Sequence, residues 1–207
     1  MPAPRRFTRE RLQSTALAIV DERGLAGLTM RSLAAELGTG AMTIYNYVDG
    51  RTGLEALVTE AVMAKSTWEE SEGDDWREAL AAVAEGVLLT VWDHPNAVPL
   101  MLARGALHES ALAPAEAMLD ALHRAGYRGP ELLVAFRVVS GFVSGFAQVE
   151  LAVPPPEPEP VPAVGQGAEL DGERFPRLVE IGGAATASDP LSRFRDGLRI
   201  ILKGLEP

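Results

Sequence analysis

Apolar residues recur every three to four positions along almost the whole chain, and no stretch alternates apolar and polar residues over a strand's length. That period lines up one stripe of side chains on a helix, so the expected fold is all-α. Thr8 is placed to cap a first helix with Leu12, Ala16, Ile19 and Val20 inward, and Gly24 to end it. Thr29 caps a short second helix carrying Leu33, Ala34 and Leu37, broken at Gly38. A third follows over about 41–47, and a fourth from 51 to the high 60s with Leu54, Leu57, Val58, Ala61 and Val62 as its stripe. Asp74 and Asp75 suit the positive end of a fifth helix that stops near His94 and Pro95. Further helical patterns cover 96–105, 112–125, 130–152, 175–181 and 189–205.

Between 152 and 175 the pattern fails. Six of the nine residues 154–162 are proline and two are glutamate, and glycines crowd 165–172. Such a segment lacks the amide donors and the apolar stripe of a helix, so 154–172 is expected to be a flexible loop.

Charge is unevenly spread. The chain has a formal charge of −10, yet residues 1–53 hold seven Arg against five Asp and Glu, leaving −12 for the remainder. A small basic end on an acidic body excludes blanket binding to nucleic acid or anionic lipid and directs attention to that end. There is no cysteine, which removes disulfides, thiol catalysis and thiolate metal sites. The three histidines (94, 108 and 123) have no i, i+4 partner, so no metal site is expected. His94, at a helix end, is expected to interact with that helix's last carbonyls. The first apolar run, 16–20, is too short for a signal segment, and Arg137, Gln148 and Glu150 interrupt the most apolar stretch. A cytoplasmic protein without a membrane partner is expected.

Residues 29–53 carry the most information. Two short helices meet at Gly38, Ala34 four residues earlier lets them cross closely, and Leu33, Leu37, Ile44 and Val48 supply a shared core. That is the spacing of a helix-turn-helix. The second helix turns Thr39, Thr43, Tyr45, Asn46 and Tyr47 outward, with no carboxylate between Thr39 and Val48. A surface free of negative charge is what approach to phosphates requires.

Leu28 to Ala34, Leu37-Gly38 and Thr43 to Val48 make residues 8–60 resemble the tetracycline-repressor (TetR) family of bacterial transcription regulators. Phe175 to Leu178 and the run from Asp189-Pro190 to Gly204-Leu205 extend the resemblance to the C-terminal part. It implies a three-helix DNA-binding domain over 1–53 and a helical effector-binding and dimerisation domain over 54–207. By position, Thr29 and Arg31 would meet the DNA backbone or a groove edge. Thr39, Gly40, Ala41, Met42 and Thr43 would lie over base edges, and Asn46 would pair with adenine. Tyr45, Tyr47 and Arg51 would reach phosphates. Gly50 and Gly53 depart from the family pattern and are expected to weaken the start of the fourth helix by up to about 1 kcal/mol each.

The resemblance also implies a small-molecule effector. Trp92, Met101, Arg104, Phe136, Ser140, Ser144 and Gln148 are the candidates to line its site. The family's namesake holds a drug–magnesium chelate with a histidine and a threonine, and residues 98–104 offer no such pair. No cofactor or metal is therefore expected. Gly141 and Gly145 leave a smooth side on the long helix, and Phe194, Leu198, Ile201 and Leu202 form a stripe on the last. Both are expected to build a homodimer. The function implied is a repressor on a pseudo-palindromic duplex operator, released by its effector. The alternatives are a helical interaction module that has lost DNA binding, and a small helical enzyme. For the enzyme no cluster of nucleophile, base and orienting group is evident.

Overall fold

The structure, a computed structural model, describes residues 7–69, 75–103, 109–151, 171–187 and 189–205. Arg104 and residues 154–170 of the expected loop lie outside them. Every regular element among the described residues is helical, in the order α1 (Arg9–Gly27), α2 (Met30–Glu36), α3 (Ala41–Ile44), α4 (Gly50–Met63), α5 (Trp76–Trp92), α6 (Val98–Ala103), α7 (Glu109–Arg124), α8 (Gly129–Leu151), α9 (Pro176–Ala187) and α10 (Pro190–Gly204). A 3-10 turn, Pro95–Ala97, leads into α6.

The caps follow the chemistry of the sequence. Thr8 accepts from the Arg11 amide at 3.3 Å, and Asp75 from the Arg77 amide at 2.8 Å. Thr29 and Ser32 exchange bonds reciprocally at the start of α2. Asp189 accepts from the Ser192 amide at 3.0 Å, and hydrogen bonds from the Ser192 side chain and backbone hold its carboxyl below the usual range. Several helix bounds differ from expectation, α9 among them, which runs to Ala187 rather than stopping at 181. In α1 the backbone breaks at Gly24 but one further turn follows. The amides of Asn46 and Tyr47 past α3, and of Lys65 and Ser66 past α4, bond three residues back rather than four, so the chain tightens and leaves the helix early.

Two compact units result, Met1–Leu151 with Pro207, and Ala152–Glu206. In the first, α4 packs against α1, α2, α5, α6 and α7. Every residue from Ala56 to Met63 is buried, so α4 has no solvent face over two turns and ties the N-terminal helices to those that follow. Its one buried carboxylate, Glu60, is satisfied by Arg9 (2.6 and 2.8 Å) and Gln13 (2.7 Å) from α1. Gly86 in α5 is buried because the segment after α4 crosses it: a Cβ there would run into the Thr67 carbonyl oxygen.

His94 is buried, but not against its own helix's carbonyls as expected. Its Nδ1 lies 3.0 Å from both carboxylate oxygens of Asp21 in α1, and Lys65 Nζ lies 3.1 Å from Nε2. A lysine can only donate and a carboxylate only accept, so this arrangement selects the ring carrying its hydrogen on Nδ1. Asn96 donates to the carbonyls of Val20 and Asp21 at 3.2 and 3.0 Å. The turn preceding α6 is thereby pinned to α1.

By length and composition the stretch Gly129–Glu150 is long and apolar enough to cross a membrane, despite its interruptions. Its buried stripe of Ala135, Val139, Val143 and Ala147 faces neighbouring helices, with α8 packed on α5, α6 and α7. One face of α8 is thus packed in the domain, while Leu133, Val134, Val138 and Val149 are exposed on the others.

Candidate nucleic-acid interface

The turn between α2 and α3 is built by Gly38. The Thr39 amide bonds to the Ala34 carbonyl (2.9 Å) and the Gly38 amide to the Ala35 carbonyl (3.1 Å). This closure needs a left-handed residue, and Gly38 has φ +64°. Ala34 is buried at the crossing, and Leu33, Leu37, Ile44 and Val48 are all buried as the pattern required. With that core fixed, the remaining positions of α3 have one direction left to face.

Met42 (77% exposed), Tyr45 (55%) and Asn46 point outward. Thr39, Ala41 and Thr43 are half-buried, and Gly40 is exposed with open space around it. Thr29 and Arg31 are exposed at the start of α2. Among the described residues Arg31 makes no ion pair, so its charge is available. Leu28, Thr29, Met30, Arg31, Tyr45 and Arg51 line one shallow, open depression of about 460 Å³. Four expected contact residues, separated by up to 22 positions in the chain, are thus gathered on one face. Leu28 and Met30 complete it, though their apolar character gave no separate sign of it.

Two expected residues are engaged within the chain instead. Tyr47 turns toward the N-terminus: its hydroxyl accepts from the Phe7 amide (3.3 Å), and the two rings meet edge to face at 6.1 Å. Arg51 donates from Nη1 to the Leu28 carbonyl (2.6 Å), from Nη2 to the Leu25 carbonyl (3.0 Å) and from Nε to Glu55 (2.7 Å). Two of its five N–H groups therefore clip the end of α1 to the start of α4, and a third pairs with Glu55 within α4 itself. Replacing Arg51 by alanine is expected to lower stability by on the order of 1 kcal/mol, the side chain being half-exposed. The salt dependence of DNA binding should stay unchanged. A slope reduced by about one unit in a salt titration would instead return Arg51 to the phosphate contacts.

The glycines that departed from the family pattern have steric reasons. Gly50 has φ +58°, and a Cβ on Gly53 would lie 3.1 Å from the Val48 Cβ. The first turn of α4 is packed directly on Val48, just past α3.

Of the expected effector residues, Trp92, Met101, Phe136 and Ser140 are half-buried. The indole N–H of Trp92 is buried and has no hydrogen-bond partner among the described residues. Ser140 spends its hydroxyl on the Phe136 carbonyl, 2.7 Å away. Ser144 and Gln148 are exposed on the outer side of α8, so within one chain they do not line an interior space. They share that side with Gly141, while Gly145 is half-buried; among the described residues neither glycine has an atom within 4 Å of where a Cβ would stand. On α10, Phe194, Leu198 and Leu202 are already buried within the single chain. Ile201 is half-buried and Ile200 is 73% exposed. The inner part of the expected dimer stripe is therefore intrachain core, because a side chain with no exposed surface has none to offer a second copy.

Residues 69–207 match the family described as tetracyclin repressor-like, C-terminal domain. The transcriptional repressor DrrR1 of Streptomyces coeruleorubidus is 37% identical over 146 residues, which are 70% of this chain and 54% of that protein. The chain thus spans about half the length of that curated relative. Apo ActR from Streptomyces coelicolor superposes with a TM-score of 0.79 at 28% identity, covering 96% of this chain and 94% of ActR. ActR in complex with actinorhodin gives 0.78 at 27%, covering 96% and 95%.

Proposed function

Because the chain belongs to the tetracycline-repressor family of transcriptional regulators, we propose that it is a ligand-responsive repressor, binding a pseudo-palindromic operator as a homodimer and leaving it when a small-molecule effector binds. The observation that carries this reading is the exposed face of α2 and α3. It offers Thr29, Arg31, Met42, Tyr45 and Asn46 outward, with no carboxylate from Thr39 to Val48 on an otherwise acidic chain. Arg31 supplies charge for the backbone, while Thr43 and Asn46 supply the hydrogen-bonding groups for base edges. Two copies present two such faces to successive major grooves, about 34–36 Å apart.

Release requires that the effector favour a state the operator does not, so each must weaken the binding of the other. The ActR complex with actinorhodin supports an organic small-molecule effector. The unpartnered Trp92 N–H supports a ligand bearing an acceptor. The bonds from His94 and Asn96 to α1 supply a mechanical route: a shift at the start of α6 must either move α1 or break them. A regulator of this kind acts in the cytoplasm, where its operator is.

The test is selection of a random duplex pool by the purified protein at two salt concentrations. A palindromic motif whose enrichment falls steeply with salt is expected. No motif from protein freed of co-purified ligand by unfolding and refolding would overturn the reading.

A further inference from the structure

The side chains on the exposed part of α3 are unusual for a reader of base edges. Gly40 has none, Ala41 has a methyl, and Thr43 is half-buried. The most prominent group is Met42, 77% exposed, with Tyr45 one turn further on and also exposed. No arginine, lysine or glutamine lies between Thr39 and Val48, so the strongest partners for guanine are missing from this helix. A large apolar side chain held in solvent forgoes the gain of burial, and here the folded chain offers it no cover. The empty space at Gly40 removes the neighbour that would otherwise hold the helix away from a facing surface. Among the base edges of the major groove only one group is apolar, the C5-methyl of thymine.

We propose that Met42 is a specificity residue that reads a thymine methyl in each half-site, so that the operator depends on that methyl rather than only on hydrogen bonds. The inference rests on the DNA-binding reading above and deepens it. It predicts a sensitivity that a hydrogen-bond reader does not have. Uracil keeps every major-groove donor and acceptor of thymine and lacks only the methyl.

The experiment takes the duplex enriched in the pool selection and replaces each thymine, one at a time, with deoxyuridine. With the wild-type protein, one position per half-site should lose about fourfold in affinity, the worth of one buried methyl-sized group. With Met42→Ala that loss should shrink to within about twofold, while the losses at other positions stay as they were. Met42 lies outside the core, so the variant's thermal midpoint should match the wild type and exclude misfolding as the cause. The proposal is overturned if no deoxyuridine weakens the wild type, or if Met42→Ala retains the full loss. Failure of the wild type to bind even the all-thymine duplex would overturn the DNA-binding reading itself, a result distinct from the other two.

Discussion

Replacing Gly141 by leucine is expected to leave the chain folded, to make it monomeric, and to reduce affinity for a full operator by a factor of 10² or more. The first expectation is steric: a Cβ at 141 meets nothing within 4 Å, and leucine favours a helix more than glycine does. The second follows from what surrounds it. Val134 (62% exposed), Val138 (45%) and Val149 (79%) lie at helical spacing from Gly141 and Gly145, and together make an apolar stripe along α8, bordered by the exposed Arg137. In water such a stripe calls for a cover, and the two glycines let a second helix approach closely. The third is a matter of linkage: two joined faces bind two half-sites with an avidity that separate faces lose, by about 10² to 10⁴. Sedimentation equilibrium and titration of a full and a half operator check all three. A dimer of unchanged operator affinity would sink this placement of the interface. The second copy would then have to be held elsewhere.

Phe194→Ala is expected to cost about 3–5 kcal/mol of unfolding free energy, the range for deleting a fully buried ring. Phe194 has no exposed surface, and Leu198 and Leu202, one and two turns later, are 2% and 6% exposed. Ile200, 73% exposed on the opposite side of the same helix, supplies the contrast: Ile200→Ala should change the stability of one chain by under about 0.5 kcal/mol. Urea unfolding at several protein concentrations separates the two kinds of residue. A core residue costs the same at every concentration, whereas an interface residue acts through the dimer and its cost falls on dilution. If the Phe194→Ala deficit vanished on dilution, the stripe would belong to the interface after all.

These two experiments address the same gap between pattern and placement. The α10 stripe at 194, 198 and 202 and the smooth side of α8 at 141 and 145 are both plain in the sequence, and either could have faced a second copy. Only the folded chain shows that the first is already covered and the second is open. Tyr45 and Tyr47 make the same point over a shorter distance. They are two residues apart, so a helix would send them to different sides, but the segment leaves the helix at Ile44. Tyr47 then finds Phe7, forty residues away, as its partner. Arg51 carries a charge suited to a phosphate, but the carbonyls at the end of α1 lie within its reach and take it.

What the sequence determined by itself was local. Its period made the chain helical, and Thr8, Thr29, Asp75 and Asp189 started helices because a short acceptor can satisfy a neighbouring free amide. Gly38 closed the turn because the required backbone angle is open to glycine, and the core at Leu33, Leu37, Ile44 and Val48 left α3 one outward face. These depend on residues within a few positions of one another, and their physics is readable there. The tertiary structure alone decided which apolar stripe is covered, which tyrosine and which arginine are free, and that His94 links Asp21 to Lys65. Those outcomes turn on partners 23 to 73 residues distant, and a repeating pattern says that a face needs burial without saying what will bury it.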